Sequence, residues 1–463
     1  MPSSYWEERA KREKAWQLKQ LENDAEFGKL LETYYNQAID DISDSIEKEL
    51  NRVGKDQVTQ MDVKAYETKA KSIVAEAEKM RANGQKVTYA DFSDQVNQRL
   101  KVYNATMRIN QLEHLKSEVG LDMLRAGIKV DSSLRDKLSG DYQKEVIRQA
   151  DIMMDSARRS PWTGKDAAKI LMAQTNGVTF SQRLWADQDA LKAKLDQVLS
   201  VGMIQGQNPR KMATRLREQV KTAVGNQKYV TERLARTESA RIQTNVQLES
   251  IKKHGYNYVQ WIAEPKACPA CRAIASRDSG YGEGVYKVAK VPKIPEHPNC
   301  RCSISETWVE GKDDNLVGGK QSTRLKMMRR STHQLKGNDH VPTDLMNQIL
   351  GSFIRRGGSV QMGKETDEWL RSQGASASIL DSSTILIGTF ATEMAVREEA
   401  FHANQLKRYD GAPSDEELIN MEIEAQIYLL KYAKEHNMSY NEIKELKRNL
   451  RYWKRKLADY KGR

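Results

Sequence analysis

Several features that define other protein classes are absent from this sequence. No run of apolar residues approaches the roughly 18 to 20 needed to cross a bilayer, and residues 1–19 carry charges throughout, without the apolar segment of a signal peptide. We therefore expect a protein with no membrane span that is made and folded in a cytoplasm. In that reducing compartment, cysteines bind metal or stay free thiols more readily than they form disulfides.

Aromatic residues are also scarce. They make up 7% of the chain, whereas 30% of its residues are charged, and the mean hydropathy is −0.74. Glu, Lys, Gln and Arg are abundant, which is the composition of long, exposed helices. With 463 residues the chain is too long for one ordinary domain. The composition predicts a mainly α protein with a smaller α+β part.

The charge balance is positive. A net charge of +12 indicates an acidic partner or a DNA-rich setting. Acidic residues are interspersed along the chain, however, so a solvated surface of mixed charge explains the same net charge. The densest basic stretch lies near the C-terminus and contains Lys444, Lys447, Arg448, Arg451, Lys454, Arg455 and Lys456.

Residues 1–130 read as an N-terminal helical domain. Apolar residues recur there at steps of three and four, which predicts one buried helix face. They are Leu31, Tyr35, Ile39, Ile42, Ile46 and Leu50. Thr59 and Asp62 offer a capped start for a second helix over 63–82, and 88–117 reads as a third.

Residues 131–310 read as a mixed but mainly helical core. A long helix is expected to begin after Gly225 and to run to Lys253. The alternation of Tyr258, Gln260 and Ile262 then predicts a strand that leads directly into a cysteine-containing region.

The remaining sequence divides into a linker and a C-terminal domain. Residues 311–343 are rich in Gly, Ser and charged residues without an apolar period, so we expect a flexible linker. Residues 344–463 then read as an α+β domain with a short strand at 359–362, a helix at 364–373 and one or two strands within 378–389.

All four cysteines fall in one window of the core. Cys268 and Cys271 form a CxxC pair, and His297, Cys300 and Cys302 follow as HxxCxC. Tetrahedral zinc takes two thiolates from one tight turn and two further ligands from a second. Five residues compete for four positions; we favour Cys268, Cys271, His297 and Cys300, with Cys302 as the substitute.

Two other interpretations of the cysteines stay open. They could form two disulfides, or a CxxC redox pair like those at helix N-termini in thioredoxin-like units. Proline follows the first cysteine and no thioredoxin-like pattern surrounds it, so structural zinc is the better hypothesis. A closed site with four protein ligands would stabilise the fold rather than catalyse a reaction.

A family resemblance becomes specific at this point. The run Ala235-Arg-Thr-Glu238, followed by Gln260-Trp261, the CxxC pair and the segment His297-Pro-Asn-Cys-Arg-Cys302, resembles the Mu F-like family of phage minor head proteins. The Gly202-to-Pro209 segment and the Tyr5-Trp6 opening look like the same family, so the resemblance covers about residues 1–310.

The resemblance implies a low-copy structural protein of a tailed bacteriophage. Such a protein is made in the bacterial host cytoplasm and lies in the virion, inside the capsid near the portal. It would act in head morphogenesis, DNA packaging or ejection. The implied partners are the portal protein and the inner capsid surface, with packaged DNA as a further candidate. No small-molecule substrate is evident, and we do not expect an enzyme.

The family run itself carries Arg236 and Glu238 on a helix. Residues two positions apart do not share a helix face, so we expect these two side chains to reach different partners. Structural ion pairs are the expected role, because no nucleophile with a base lies near them in the sequence.

The C-terminal domain holds a second group of candidate residues. Glu398 and His402 are four residues apart and therefore lie on one helix face, with Glu399 beside them. The segment resembles an HExxH zincin helix whose first His is replaced by Glu398. A downstream helix carries Glu422 and Glu424, and the carboxylate of either could be a third ligand. The resemblance implies Glu398, His402 and Glu424 as ligands of a second zinc ion and Glu399 as general base. Two other interpretations of the segment stay open. It could be a charged amphipathic helix with one incidental His, or part of a degenerate zincin-like fold.

Two other functions remain as alternatives. One is a head protein that carries a C-terminal metallopeptidase-like effector domain. The other is a nucleic-acid-binding protein whose zinc knuckle contacts bases or phosphates. Against the second, the basic residues around the cysteines are offset by nearby acidic ones.

Overall fold

The computed structural model confirms the predicted fold class. The residues that it describes are 74% helical and contain two small sheets of three strands each. The structure describes residues 3–51, 57–84, 88–153, 164–175, 177–204, 209–312, 314–316, 340–373, 375–381, 383–408, 413–436, 438 and 440–461. Most of the predicted linker, residues 317–339, lies outside this described part.

Long helices dominate the first half of the chain. They are α1 (Ser3–Leu50), α2 (Gln60–Asn83), α3 (Phe92–Thr106), α4 (Gln111–Met153), α5 (Gly164–Leu171), α6 (Phe180–Ile204) and α7 (Pro209–Lys253). Thr59 and Asp62 form a reciprocal capping box at the start of α2, as the sequence predicted.

Two predicted helix boundaries were wrong. The segment predicted as the third helix, 88–117, is interrupted between Thr106 and Gln111, so that it contains α3 and the start of α4. Gly225 does not begin a helix but lies inside α7, where a Cβ atom would meet nothing within 4 Å. A lone glycine costs a helix only about 1 kcal/mol, and the packing of α7 along α1, α4 and α6 outweighs that cost.

A small antiparallel sheet follows α7. Its strands are β1 (Tyr258–Ile262), β2 (Val285–Lys287) and β3 (Ser303–Thr307), with β1 in the centre. Helix α8 (Pro269–Ser276) lies between β1 and β2, and a 3-10 turn (Val288–Lys290) follows β2. The predicted strand before the cysteines is therefore confirmed as β1.

The C-terminal part contains the second sheet. Its elements are α9 (Thr343–Arg355), β4 (Ser359–Gln361), α10 (Lys364–Gln373), β5 (Ala377–Asp381), β6 (Thr384–Ile387), α11 (Glu393–Gln405), a 3-10 turn (Leu406–Arg408), α12 (Asp415–Glu435) and α13 (Tyr440–Lys461). Central β6 pairs parallel with β4 and antiparallel with β5. No helix in the described ranges is long and apolar enough to cross a membrane.

One hydrophobic cluster runs through the long helices. It joins Leu31, Tyr35 and Ile46 of α1 to residues of α4, α6 and α7, among them Leu134 and Ile242. The boundary predicted at residue 130 falls inside α4, and this cluster draws on residues from both sides of it.

A second cluster connects distant parts of the chain. Tyr5 and Trp6 at the start of α1 share it with the cysteine region and with Leu370, Leu380 and Leu386 of the C-terminal part. Arg12 also donates a 2.6 Å hydrogen bond to Ser383. These contacts join the C-terminal sheet to the start of α1.

Candidate metal centre

The first cysteine pair is positioned by a helix N-terminus. Cys268 is the N-cap of α8, and its Sγ accepts a hydrogen bond from the backbone N–H of Cys271 at 3.4 Å. Pro269 occupies the first turn of the helix, where its missing N–H has no cost. This local geometry turns both thiols toward the same side.

The second group of candidates lies on the segment that leads into β3. Cys300 and Cys302 are buried, and Asn299 between His297 and Cys300 adopts a left-handed conformation with φ 73°. Asparagine tolerates that conformation better than most residues, and the turn it makes directs His297 and Cys300 back toward α8. All four cysteines lie in the described part, and all are free thiols without a disulfide.

The structure brings all five predicted residues together. The His297 Nε2 atom lies 3.2 Å from the Cys268 Sγ and 3.3 Å from the Cys271 Sγ. The Sγ atoms of Cys271 and Cys300 are 3.8 Å apart. Cys302 lies with Cys271 and Cys300 in a second group of possible ligands, whose atoms are within 4.8 Å of one another.

The three distances around Cys271 and His297 are close to the edges of a metal-centred tetrahedron, although Cys300 does not fall in one group with Cys268 and His297. With Zn–S bonds of about 2.3 Å and a Zn–N bond of about 2.0 Å, the S–S edge is about 3.8 Å and the S–N edge about 3.5 Å. The other ring nitrogen of His297, Nδ1, lies 2.9 Å from the carbonyl oxygen of Pro298. Metal-binding histidines commonly donate their second N–H to such a carbonyl, so His297 is well oriented as a ligand.

The two buried cysteines of the second segment differ in their ionisation. A hydrogen bond from the Cys302 thiol lowers the pKa of Cys300 to about 5. The same hydrogen bond, together with burial, raises the pKa of Cys302 far above its ordinary value. The Cys302 thiol is thus the hydrogen-bond donor to the Cys300 sulfur.

The Ala235–Glu238 run anchors the second segment to α7. Arg236 forms an ion pair with Glu264, whose other carboxylate oxygen accepts the backbone N–H of Arg301 at 3.1 Å. Thr237 accepts the backbone N–H of Asn299 at 2.8 Å. The run therefore holds the turn that presents His297 and Cys300.

Glu238 faces another direction. It is buried and forms ion pairs with Arg183 of α6 and, at 2.8 Å, with Arg241 of its own helix. The prediction that Arg236 and Glu238 reach different partners through structural ion pairs is confirmed. The sequence did not single out Glu264 or Arg183, since nothing in their local sequence marks them.

Helix α1 holds the same segment from the opposite side. Arg301 forms a 2.9 Å ion pair with Asp24 and donates to the side chain of Gln243 at 2.6 Å. Gln17 donates to the carbonyl oxygen of Arg301 at 2.9 Å. The candidate ligands of the second segment thus lie in a loop that is fixed on both sides.

A buried ionic network continues along α1. Arg9 pairs with Glu306 of β3 at 3.1 Å and with Glu13 at 2.9 Å, and Arg148 of α4 pairs with Glu13 at 2.7 Å. Burial opposes the ionisation of Glu13, but Arg148 and Arg9 outweigh it and lower the pKa of this carboxyl group. The network joins α1, α4 and the strand that follows the second cysteine segment.

The C-terminal candidates are only partly brought together. Glu398 and His402 of α11 lie with Glu422 of α12, their ligand atoms within 4.8 Å of one another, and all three residues are buried. Burial raises the pKa of Glu398, aided by the charge of Glu399, and lowers the pKa of His402 to about 4.

Of the two carboxylates considered as third ligand, the structure brings Glu422 rather than Glu424 to Glu398 and His402. Glu424 is exposed and pairs with Arg408 at 3.0 Å, whereas Glu422 faces α11. Positions two apart on a helix point about 200° away from each other, so only one of these carboxylates can face the cluster. Glu399 is fully buried, and its Oε2 accepts the backbone N–H of Ile379 in β5 at 2.7 Å. Its role as general base stays a prediction.

Comparison with known families supports the resemblance seen in the sequence. Residues 193–305 match the family described as Phage Mu protein F like protein. The matched segment runs from α6 to β3 and contains all five candidate ligands together with Arg236, Glu238 and Glu264. No curated protein and no solved structure matches the chain.

The matched segment is similar to the Mu F-like domain, which suggests a phage head morphogenesis protein with a place in the virion. The match covers residues 193–305 and leaves the N-terminal helices and the C-terminal part unassigned.

Proposed function

We propose that this chain is a minor structural head protein of a tailed phage, bound near the portal inside the procapsid. There it acts in head morphogenesis, DNA packaging or ejection, by binding rather than by catalysis. The Mu F-like match at residues 193–305 carries this proposal.

The contacts of the matched segment are those of a structural unit. Arg236 and Glu238 are both engaged in ion pairs between elements, and Arg301 connects the second cysteine segment to α1 and α7. Such connections fix the shape of a surface, and a surface of fixed shape is what binding to a portal or inner capsid requires.

We further propose that the segment is stabilised by one structural zinc ion. Cys268, Cys271, His297 and Cys300 would hold it, with Cys302 donating a hydrogen bond to the Cys300 thiolate. Four protein ligands leave no position for water, so the ion would connect α8 to the segment before β3 without catalysing a reaction. The short distances from Cys271 and His297 and the Nδ1 contact of His297 support this ligand set, and Cys271 belongs to both groups of possible ligands.

The location can be tested by counting copies in purified particles. Quantitative mass spectrometry of procapsids should find the protein at far fewer copies than the major capsid protein. It should be lost from particles assembled without portal. A protein that is absent from particles at every assembly stage, or present in portal-free particles at an unchanged level, would refute the proposed location.

The zinc ion's contribution can be tested in the same assay. Cys268→Ser should reduce incorporation into procapsids, because the segment before β3 loses its connection to α8. Ser276→Ala, an exposed substitution in the same helix, is the matched control and should be incorporated normally. Equal incorporation of both variants would argue that zinc is not needed for assembly.

A further inference from the structure

The cluster formed by α11 and α12 differs from the zincin-like arrangement expected from the sequence. Glu398 and His402 are one helical turn apart on α11, and Glu422 projects from α12 to the same point. His402 Nε2 lies 3.8 Å from a carboxylate oxygen of Glu422. Two helices therefore bring one nitrogen and two carboxylates together in the protein interior.

This cluster places two carboxyl groups and an imidazole where water is excluded. Glu398 is 7% exposed and Glu422 8% exposed. Gln426 donates a hydrogen bond to Glu398 at 2.6 Å, but no Lys or Arg in the described part forms an ion pair with Glu398. Buried carboxylates are normally paired with a cation or bound to a metal.

His402 is oriented with a free nitrogen toward the carboxylates. Its Nδ1 lies 2.8 Å from the amide oxygen of Gln405. Gln405 is held in turn, because its Nε2 donates to the Met421 carbonyl oxygen and to Glu424, both at 3.0 Å. An amide oxygen only accepts, so Nδ1 carries the proton and Nε2 presents its lone pair. The Nε2 atom is buried and has no hydrogen-bond partner.

We propose that Glu398, His402 and Glu422 bind one divalent transition-metal ion between α11 and α12. An imidazole nitrogen whose other N–H is fixed by an acceptor is the usual form of a metal-binding histidine. One nitrogen and two carboxylates suit Zn²⁺ or Mn²⁺ better than Mg²⁺ or Ca²⁺, which prefer oxygen ligands alone. Ligand atoms around a tetrahedral zinc ion are about 3.4 Å apart, so the 3.8 Å gap between His402 and Glu422 closes with a small side-chain movement.

Zinc content of the full chain tests the proposal. Protein is equilibrated with Zn²⁺, freed of excess ion and analysed for metal. Glu398→Gln should contain about one zinc ion fewer per chain than the unaltered protein, whereas the matched control Glu435→Gln, at an exposed position at the C-terminal end of α12, should lose none. Any zinc held by the cysteines is present in the variant and in the unaltered protein alike, so it does not contribute to the difference between them. Equal zinc in Glu398→Gln and in the unaltered protein would overturn the proposal.

A stability measurement separates loss of metal from loss of fold. Glu398→Gln keeps the side-chain shape and removes one of the clustered charges. Metal-free Glu398→Gln should therefore unfold at the same temperature as the metal-free unaltered protein or higher, and it should lose the rise in unfolding temperature that Zn²⁺ causes. If Glu398→Gln does not fold, Glu422→Gln serves in the same comparison. A Zn²⁺-induced rise that survives in the folded variant would contradict the site.

Discussion

Arg236 of α7 and Glu264 in the loop after β1 form an ion pair beside the cysteine cluster. Glu264 is buried, and its second carboxylate oxygen holds the backbone N–H of Arg301, which lies between Cys300 and Cys302. One carboxylate therefore connects the longest helix of the matched segment to the backbone that presents two candidate ligands. Losing either partner should affect the metal centre without removing a ligand.

Replacing Arg236 with Ala should lower the free energy of unfolding by about 1 to 3 kcal/mol, because Glu264 would keep a buried charge without its cation. The guanidinium is partly exposed, which places the loss below that of a fully buried pair. Arg233→Ala, an exposed substitution one turn earlier on α7, should change stability by less than about 0.5 kcal/mol. Denaturant unfolding of both variants measures the difference. Equal stabilities would show that the pair contributes nothing.

Removal of the proposed zinc ion should reduce hydrogen-exchange protection beyond the cysteine-containing loops. Chelation or Cys268→Ser should reduce hydrogen-exchange protection across residues 256–308. It should also reduce protection in the first half of α1, because Gln17 and Asp24 contact Arg301. The Leu31–Ile46 face of α1 belongs to the other hydrophobic cluster and should stay protected. Protection that is unchanged after the metal is removed would contradict a structural role for zinc.

Contacts between residues close together in the sequence could be predicted, and contacts between residues far apart in the sequence could not. The capping box of Thr59 and Asp62 was predictable because its partners are three residues apart. The pair of Asp24 and Arg301 joins residues 277 positions apart, and no local pattern marks either one. Cysteine clustering was a strong signal because four thiols fell in one window of the sequence.

The orientation of α12 explains why Glu422 rather than Glu424 lies at the C-terminal cluster. Glu422 and Glu424 are equally good ligands in the sequence, and only the packing of α12 against α11 decides which of them faces His402. That packing depends on apolar contacts such as those of Ala403 and Met421, which the sequence shows as a general pattern but not as a rotation angle.

The ionic network around Glu13 should make stability depend on pH. The pKa of Glu13 in the folded protein lies below its ordinary value of 4.5. A carboxyl group of this kind contributes stability that is present above the unfolded pKa and is lost as the pH falls through the folded pKa. Stability should therefore decrease as the pH is lowered below about 4.5.

Glu13→Gln should remove this contribution. At pH 7 we expect a loss of about 2 to 4 kcal/mol, since Arg9 and Arg148 each keep only one other carboxylate partner. Below the folded pKa, the variant and the unaltered protein should become similar in stability. Glu22→Gln, at an exposed position of the same helix, should keep the full pH dependence. Parallel stability curves for Glu13→Gln and the unaltered protein would exclude Glu13 as the group responsible.

The last prediction concerns removal of the C-terminal part. A cut after Leu316 keeps Asn315, whose side chain bonds the backbone of Val309 and Lys312, and so leaves the end of the first sheet intact. It removes Leu370, Leu380 and Leu386, which share a hydrophobic cluster with Tyr5 and Trp6. Residues 1–316 should therefore fold and still enter procapsids, because the Mu F-like segment is complete.

The shortened chain should nevertheless be less stable and should bind an apolar dye more strongly, since the cluster that contains Tyr5 and Trp6 loses its residues from the C-terminal part and becomes exposed there. In the full chain, Leu386→Ala should cost about 2 to 5 kcal/mol, because the residue is fully buried in the shared cluster. Ile427→Ala, at a half-exposed position on α12, is the control and should cost far less. Residues 1–316 that unfold at the same temperature as the full chain and bind no more dye would contradict this prediction. The two parts would then not stabilise each other, and the cluster that joins them would contribute nothing to the free energy of unfolding.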